Sequence, residues 1–398
     1  MKILSVNAGS SSLKFTLFEM PVGKELIGGY FEKIGLEDSF YSIKMNGEKT
    51  KKIALVKDHS EAVKILIDEL IENKVIEKLE DIDGIGHRLV HGGEKYSGSV
   101  IVTEDVINTM QELIPLAPLH NPANLVGVNA FMEVLPNTPN VGVFDTAFHQ
   151  TMSKEQYLYG VPYEWYKEYG VRKYGFHGSS HKFITKSMKE EFGKDNVNLI
   201  IVHAGSGGSL CCVKDGKSFD TTMGFTPNAG MLMGTRSGDI DYSLIPYVMK
   251  NAGLSLNEVD TILNKKSGIY GISGGLSDNR DLENAINEGN EQAKLANDML
   301  INSVVNYIAK YYVSLNGKVD ALVFTAGLGE NAIKFRKEVM EKLECLGIKL
   351  DNEVNDTIAG FKSVHSGIIS TSDSKVPVYV VPTNEELMIA TDTYELIK

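Results

Sequence analysis

Two arginines and one aspartate stand in short stretches of the chain that could bind an anionic group. Arg88 lies between two His and before two Gly in GHRLVHGG, and Arg236 lies among small residues in GTRSGD. A planar guanidinium can hold a carboxylate or a phosphoryl group through two hydrogen bonds. Asp145 directly follows the apolar stretch 140–144, where a carboxylate is costly to bury unless it meets solvent, a metal or an Arg. These residues indicate an anion site; the alternative is that each Arg pairs with a surface acid.

Two further stretches, both rich in Gly and Ser, are similar to each other. Residues 3–14 read ILSVNAGSSSLK and residues 199–210 read LIIVHAGSGGSL, so each has an apolar strand, one polar residue, Ala-Gly-Ser and a second strand. Asn7 and His203 stand 196 residues apart, close to half of the 398-residue chain. Backbone N–H groups and hydroxyls in such loops suit phosphate oxygens. The pair predicts an internal duplication with two similar lobes facing a cleft; chance similarity of two turns is the alternative.

The elements that must position these residues alternate between strands and helices, which indicates an α/β fold. Apolar runs predict strands at 2–6, 13–19, 82–89, 140–144, 198–202, 321–325 and 376–381. Helical spacing predicts helices at 60–79 with Ser60 as N-cap, at 290–315, from about 332, and at 384–396. The chain has no G-x-x-x-x-G-K-[ST] loop, and GSGGSL lacks the dinucleotide-binding spacing and precedes a strand. A P-loop or dinucleotide-binding fold is therefore disfavoured.

Composition narrows the class of protein. A chain of 398 residues has room for two or three domains, and we expect a boundary near residue 150. The net charge of −12, without a basic block, argues against nucleic-acid or anionic-membrane binding. Cys211, Cys212 and Cys345 fit neither a disulfide framework nor a zinc site, and no apolar run approaches the ~18 residues of a transmembrane helix. We expect a soluble, cytoplasmic protein with reduced thiols.

Nine motifs, taken together and in order, resemble those of acetate kinases along the whole chain. They are NAGSSSLKF (7–15), GHRLVHGG (86–93), PLHNP (118–122), FDTAFH (144–149), YGFH (174–177), DTTMGFTP (220–227), MGTRSGDID (233–241), FTAGLGEN (324–331) and PTNEEL (382–387). The resemblance implies two duplicated ribonuclease H-like lobes with mixed sheets flanked by helices, and an active-site cleft between them. It assigns residues 1–150 and the C-terminal helix 385–398 to an acetate and metal lobe, and residues 151–384 to a nucleotide lobe.

The activity implied by the resemblance is reversible, Mg²⁺-dependent, in-line transfer of the ATP γ-phosphoryl group to acetate, giving acetyl phosphate and ADP. Mn²⁺ could substitute for Mg²⁺, and a homodimer is implied. Because a carboxylate is already a nucleophile, the protein needs to position two anions and neutralise charge, and it needs no strong general base. Three alternatives stay open: a propionate or butyrate kinase, a pyrophosphate-dependent acetate kinase, and a non-enzymatic ATP-binding sensor of acyl phosphates.

The resemblance also assigns site residues. Arg88 holds the acetyl substrate, Arg236 and His177 stabilise the transferring phosphoryl group, Asp145 orients Arg88 or Mg²⁺, and His120 is a further active-site residue. With Arg88, the acetate pocket is formed by Val90, Leu119, Phe176 and Pro227, for which an ordinary core role is the alternative. The metal residues are Asn7 and Glu385. The ATP-binding residues are Lys14, Ser10, Ser12, His203, Ala204, Gly205, Ser206, Gly207, Asp278, Asn279, Arg280, Gly327, Leu328, Gly329, Glu330 and Asn331.

This chain departs from the family's usual pattern at three places. Ser206 stands where Asn is usual, Asn279 where Phe is usual, and Asn228-Ala229 where Leu-Glu is usual. Ser206 is smaller but can still donate a hydrogen bond, whereas Asn279 removes an aromatic face beside the expected nucleotide position. These departures bear on nucleotide affinity and on the choice of phosphoryl donor more than on the carboxylate chemistry.

Overall fold

The computed structural model describes residues 1–358 and 367–398. These residues form two compact units. The first comprises Met1–Gln150, Gly178–Lys182 and Asn384–Lys398, and the second comprises Thr151–His177 and Phe183–Thr383. The assignment of acetate and metal to one lobe and of nucleotide to the other stays a prediction.

The strands and helices follow one another in α/β fashion. The strands are β1 Lys2–Ala8, β2 Ser12–Glu19, β3 Lys24–Glu32, β4 Phe40–Met45, β5 Glu48–Ile53, β6 Gly84–Leu89, β7 Val100–Ile101, β8 Asn140–Phe144, β9 Leu199–Ala204, β10 Gly208–Lys214, β11 Lys217–Thr221, β12 Ala321–Thr325, β13 Gly367–Ile368 and β14 Val378–Val380. The helices are α1 His59–Glu72, α2 Glu104–Glu112, α3 Asn121–Val134, α4 Lys154–Tyr157, α5 Tyr163–Tyr169, α6 Gly178–Phe192, α7 Leu244–Ala252, α8 Leu256–Lys265, α9 Gly268–Ser273, α10 Asn279–Asn287, α11 Glu291–Ser314, α12 Ala326–Asn331, α13 Ile333–Leu343, α14 Asn352–Thr357 and α15 Glu385–Ile397.

The first unit is built on a mixed sheet in the order β5-β4-β3-β2-β1-β6-β8-β7. Strands β1, β6 and β8 run parallel, so their carboxyl ends meet at one edge. Successive side chains of a strand point to opposite faces, and both faces of β1 are covered. Leu4 packs in the core with Leu66 of α1 and Phe131 of α3, while Ile3 packs with Ala390 of α15.

Two glycines of β6 let the C-terminal helix α15 pack directly on the sheet. A Cβ atom built on Gly84 would lie 2.3 Å from Ile397 Cδ1, and one built on Gly86 would lie 2.3 Å from Thr393 Oγ1. Such distances are too short for any real side chain, so only glycine allows this approach. The close packing holds α15, which begins at Glu385, against the strand that carries Arg88.

The second unit repeats the arrangement of the first. Its sheet has the order β11-β10-β9-β12-β14-β13, with β9, β12 and β14 parallel. The series β11-β10-β9-β12-β14 thus corresponds to β3-β2-β1-β6-β8, and the predicted duplication is confirmed. The two loops differ in length by one residue, because Asn7 pairs with Lys14 in the first hairpin and His203 pairs with Ser209 in the second.

Several predicted elements require correction. Helix α1 is shorter than the predicted 60–79, and its N-cap is Asp58, which accepts a hydrogen bond from Glu61 N, rather than Ser60. The helix ends at Glu72 because the chain turns into the left-handed region at Lys74 (φ 56°). Arg88 lies within β6, inside the predicted strand 82–89. The segment 326–331, expected between a strand and a helix, is itself the short helix α12.

Two expectations concern membrane spans and thiols. Among residues 1–358 and 367–398, no helix is long and apolar enough to cross a membrane. Cys211 and Cys212 are buried, Cys345 is exposed, and all three are free thiols.

The packing of α15 on β6 gives a first prediction. Gly86→Ala should lower the free energy of unfolding by about 1–3 kcal/mol, as overpacking in a filled core does, because the added methyl group meets the Thr393 and Ile389 side chains. Urea unfolding of both proteins measures the difference. Gly98→Ala is the matched control, since nothing lies within 4 Å of the place its Cβ atom would take. Equal stability of the Gly86 variant and the wild type would show that glycine is not needed for this contact.

Candidate active site

The first set of candidate residues lies where β6 and β8 end side by side. Arg88 Nε donates to Asp145 Oδ1 at 3.0 Å, and Arg88 Nη2 donates to Asp145 Oδ2 at 2.7 Å. Asp145 is buried, with 2% of its side chain exposed, while Arg88 keeps 25% exposed. The Asp145 carboxylate raises the pKa of the Arg88 guanidinium. The pair therefore fixes one edge of the guanidinium and keeps it charged, and Nη1 is not used by the described residues.

Glu385 belongs to the same electrostatic environment. Burial raises the pKa of its carboxyl above the ordinary value, the negative charges of Asp145 and Glu386 add to this, and Arg88 opposes it. Asn7, the other predicted metal residue, lies near the carboxyl end of β1, beside β6 in the sheet. The first unit thus brings Arg88, Asp145 and Glu385 together, as the sequence predicts.

Lys14, predicted to meet phosphate, has a carboxylate partner. Its ammonium group forms an ion pair with Glu386 in α15, and the Lys14 side chain is 57% exposed. Burial alone would raise the pKa of Glu386, but the Lys14 charge holds it below the ordinary value. A phosphate that recruits Lys14 would therefore compete with Glu386. Glu386 stands next to Glu385 in PTNEEL, but nothing in the sequence pattern indicates that Glu386 pairs with Lys14.

A buried asparagine that the sequence analysis missed links the ends of two strands. Asn124 Oδ1 accepts from Val90 N at 3.0 Å, and Asn124 Nδ2 donates to Ala8 O at 3.0 Å. This one amide therefore holds the chain just after Arg88 against the end of β1, where Asn7 lies. A buried Asn that satisfies both its donor and its acceptor contributes to the uniqueness of the local geometry.

The predicted acetate-pocket residues differ in exposure. In the first unit, Leu119 is 68% exposed and Val90 is half-buried, so the alternative of an ordinary core role is wrong for Leu119. In the second unit, Phe176 is buried and Pro227 is half-buried. His120 occupies the N-cap position of α3 and is half-buried.

The second unit brings His177 and His203 together. Their rings stack with centroids 4.2 Å apart at an angle of 24°, and His177 Nδ1 lies 2.9 Å from Ser209 Oγ. His177 itself adopts a left-handed backbone conformation, with φ 56°. The segment before it is anchored, because Lys173 forms an ion pair with the buried Asp220 at 2.6 Å.

Arg236 borders the same glycine as His177. A Cβ atom on Gly207 would lie 3.3 Å from Arg236 Nη1 and 3.8 Å from His177 Cε1. Arg236 Nη1 donates to Pro227 O at 3.1 Å, and within the part of the chain that the structure describes no carboxylate pairs with it. Burial lowers the pKa of its guanidinium. This cation is therefore partly desolvated and uncompensated, which suits it to an incoming anion.

The loop that carries Arg236 is held by backbone contacts with residues on both sides. Gly234 N donates to Ser206 O at 3.0 Å, and Ser267 N donates to Thr235 O at 3.0 Å. Gly268 has φ 61°, and a Cβ atom there would lie 2.2 Å from Met233 O. Ser206, one of the departures from the family pattern, thus supports the Arg236 loop through its carbonyl group, which any residue at that position provides.

Besides Lys14 and residues 203–207, the predicted nucleotide residues fall into three elements. Ser10 and Ser12 lie in or beside the loop after β1, where Gly9 N donates to Ser12 O at 2.9 Å. Asp278 is the N-cap of α10, accepts from Arg280 N at 2.8 Å and forms an exposed ion pair with Arg280. Asn279 Nδ2 donates to Glu283 Oε1 at 2.8 Å. The contact of these residues with a nucleotide stays a prediction.

The third element is α12, which contains five of the predicted nucleotide residues. The Glu330 carboxylate turns back and accepts from Ala326 N at 2.7 Å and from Thr383 N at 3.0 Å. Ala326 is in the left-handed region at φ 65°, so this carboxylate stabilises a strained turn between β12 and α12. The buried Arg336 donates to the carbonyl groups of Gly329 and Glu330 at 3.0 and 2.8 Å. The family signature GLGEN is thus explained in part by local structure.

The chain belongs to the Acetokinase family, whose profile matches residues 2–391. It is 52% identical over 397 residues to the acetate kinase of Geobacillus kaustophilus, covering 99% of both chains. It is 50% identical over 399 residues to the acetate kinase of Bacillus subtilis, covering 100% of both. The crystal structure of Porphyromonas gingivalis acetate kinase has a TM-score of 0.94 at 45% identity, covering 100% of both chains. A propionate kinase from Francisella tularensis has a TM-score of 0.92 at 40% identity, covering 99% of both.

The position of Gly207, next to both Arg236 and His177, gives a second prediction. Gly207→Ala should lower kcat about tenfold or more, because the added methyl group displaces the Arg236 guanidinium, and small misplacements at a reacting centre are costly. Steady-state kinetics with acetate and ATP measure the change. Gly160→Ala is the control in the same unit, because an added Cβ atom there would have nothing within 4 Å. Unchanged kcat in the Gly207 variant would contradict the assigned position of Arg236.

Proposed function

We propose that this chain catalyses the reversible transfer of the ATP γ-phosphoryl group to acetate, giving acetyl phosphate and ADP. The observation that carries the proposal is the Arg88–Asp145 pair, whose guanidinium keeps one nitrogen for a substrate carboxylate, in a chain of the Acetokinase family. Relatives about half identical over their full length are named acetate kinases. The chemistry is phosphoryl transfer to an oxygen that is already nucleophilic.

In this proposal, Arg88 orients the acetate carboxylate for in-line attack. Asp145 accepts from Nε and Nη2, so the guanidinium cannot rotate away and Nη1 stays available to the substrate. Asp145 acts through Arg88 and accepts no proton from the substrate, since acetate arrives deprotonated. Arg88 and Asp145 thus contribute to catalysis by orienting the acetate carboxylate and by allowing two anions to approach each other.

Arg236 and His177 stabilise charge on the transferring group. The oxygens of the phosphoryl group gain most from preorganised N–H donors that need no rearrangement when the group arrives. Arg236 fits this role because it is partly buried and, among the described residues, has no carboxylate partner. His177 fits it because its ring is held by Ser209 and stacked on His203.

Asn7 and Glu385 would hold Mg²⁺. The donor set fits this ion, because it supplies oxygen atoms and because burial raises the pKa of Glu385, so that a cation would relieve its desolvation. Within residues 1–358 and 367–398 no group of three or more His, Cys, Asp or Glu could hold a metal, and Mg²⁺ typically takes only one or two carboxylates and completes its shell with substrate phosphates and water. When bound, the ion would neutralise charge on those phosphates. Mn²⁺ could take the same ligands.

ATP is the proposed phosphoryl donor. The motif FTAGLGEN (324–331) is intact, and α12 is held in place by Glu330 and Arg336. A pyrophosphate-dependent enzyme would not need the residues assigned to adenosine. A sensor without catalysis is disfavoured because Arg88, Asp145 and Arg236 are all retained. The homodimer and the cytoplasmic location stay predictions.

Propionate is the second candidate acceptor, because a solved propionate kinase is 40% identical to this chain. A hydroxamate assay with purified protein, Mg²⁺, acetate, propionate or butyrate, and either ATP or pyrophosphate, tests the whole proposal. We expect the highest kcat/KM with acetate and ATP. Absence of acyl phosphate from every combination would overturn the proposed function.

The arginines give a third prediction. Arg88→Ala and Arg236→Ala should each lower kcat/KM by about 10²–10³ or more, because each removes a charged donor from an anionic transition state. Circular dichroism and thermal unfolding show whether each variant is folded. Lys294→Ala, which removes an exposed cation of α11, is the control. Near wild-type turnover in a folded arginine variant would refute the role assigned to that residue.

The acetate pocket gives a fourth prediction. The wild type should prefer acetate to propionate by about 1–3 kcal/mol in kcat/KM, which is the usual value of one methylene group in a fitted pocket. Val90→Ala should narrow this preference, because it makes room for the longer chain. Equal kcat/KM for acetate and butyrate in the wild type would rule out a small pocket.

A further inference from the structure

A serine that the sequence analysis did not single out stands beside the proposed phosphoryl-stabilising histidine. Ser209 is fully buried in β10. It pairs with His203 across the hairpin, and its Oγ lies 2.9 Å from His177 Nδ1. His203 also stacks on the His177 ring. Ser209 and His203 therefore hold the same imidazole, one at its edge and one at its face.

The duplication relates Ser209 to a polar residue of the first hairpin. Ser209 faces His203 in the second hairpin, as Lys14 faces Asn7 in the first. The second loop is one residue shorter, so a match at constant spacing aligns Ser209 with Leu13 and hides the correspondence. Structurally, the strand position that carries Lys14 in one copy carries Ser209 in the other. The position is thus polar in both copies, although its side chain is buried in the second.

The chemistry of the imidazole makes the hydroxyl consequential. A neutral histidine carries one hydrogen, on Nδ1 or on Nε2, and the partner of one nitrogen decides which. If His177 is to donate to a phosphoryl oxygen while Nδ1 contacts Ser209, the donor must be Nε2. The Ser209 hydroxyl must then donate to Nδ1. A hydroxyl can also accept, so the same contact persists when the ring is a cation with hydrogen on both nitrogens.

We infer that Ser209 is a positioning residue, which holds His177 in the tautomer with hydrogen on Nε2 so that this nitrogen donates to the transferring phosphoryl group. The inference rests on the proposed function for the part that concerns phosphoryl transfer. The tautomer itself is a property of the free protein. The backbone of His177 is in the left-handed region (φ 56°), which is unfavourable for a residue with a side chain, and the Ser209 contact helps to hold the residue there.

Nitrogen-15 spectra of histidine-labelled protein test the inference directly. At about pH 9, well above the ordinary imidazole pKa of about 6.5, the wild type should show His177 with hydrogen on Nε2. The signal is assigned by its absence from His177→Gln. Ser209→Ala should give a mixture of the two tautomers. Hydrogen on Nδ1 in the wild type would overturn the inference without any variant of Ser209.

Kinetics provide the second readout. In Ser209→Ala, kcat should fall about ten- to a hundredfold, with little change in KM for acetate or ATP. This is no more than the loss expected when a proton-donating side chain itself is removed, which is about 10²–10⁴. Ser209→Thr keeps the hydroxyl and should recover most of kcat and the Nε2 tautomer. Ser218→Ala removes another buried hydroxyl of the same sheet and should change neither.

The outcomes separate the inference from the proposed function. A wild type without acyl phosphate formation refutes the function, while the spectra still report whether Ser209 sets the tautomer. An active wild type whose Ser209→Ala variant keeps both kcat and the Nε2 tautomer refutes the positioning role. If Ser209→Ala does not fold, the wild-type tautomer and the Ser209→Thr variant decide: hydrogen on Nδ1 in either contradicts the inference.

Discussion

A buried carboxylate at the end of a strand requires a partner, and in this protein the partner is Arg88. Asp145 follows β8 and is almost fully buried, so an unpaired charge there would be strongly destabilising. The parallel neighbour β6 supplies the guanidinium at 2.7 Å. The pairing depends on the sheet order, which places β6 next to β8. Gly84 and Gly86 let α15 pack on β6, and this packing holds Glu385 near the pair.

The two halves of the chain use one scaffold for different electrostatic purposes. In the first unit, the arginine is compensated by Asp145 and is thereby oriented. In the second unit, Arg236 donates to one oxygen among the described residues, the Pro227 carbonyl. Burial lowers the pKa of the Arg236 guanidinium. An oriented cation suits recognition of a substrate carboxylate, whereas a partly desolvated cation without a counter-ion gains more when charge develops on a transferring group. The hairpins also differ between the two units, since the exposed Lys14 of the first corresponds to the buried, uncharged Ser209 of the second.

Local patterns were sufficient to predict several of the strands that carry the site. The strands 140–144 and 321–325 occur as predicted, because continuous apolar runs are typical of parallel strands covered on both faces. The repeat also revealed the duplication.

Pairings between distant residues had no such local signal. The Glu386 partner of Lys14, the Asn124 amide and the contact between Ser209 and His177 depend on register and tertiary packing. The GLGEN motif of α12 has both a predicted nucleotide role and a structural role, because Glu330 accepts a hydrogen bond from Ala326 N in the turn before it. Helix α1 was predicted too long because apolar spacing continues past the left-handed turn at Lys74.

The central claim is that Asp145 presents the free edge of Arg88 to a substrate carboxylate. A crystal structure of the wild type with acetate, ADP and Mg²⁺ tests this most directly. The account predicts an acetate oxygen within hydrogen-bonding distance of Arg88 Nη1, with Asp145 still bonded to Nε and Nη2. Acetate bound away from Arg88, or an Asp145 that has left the guanidinium to bind the metal in its place, would contradict it.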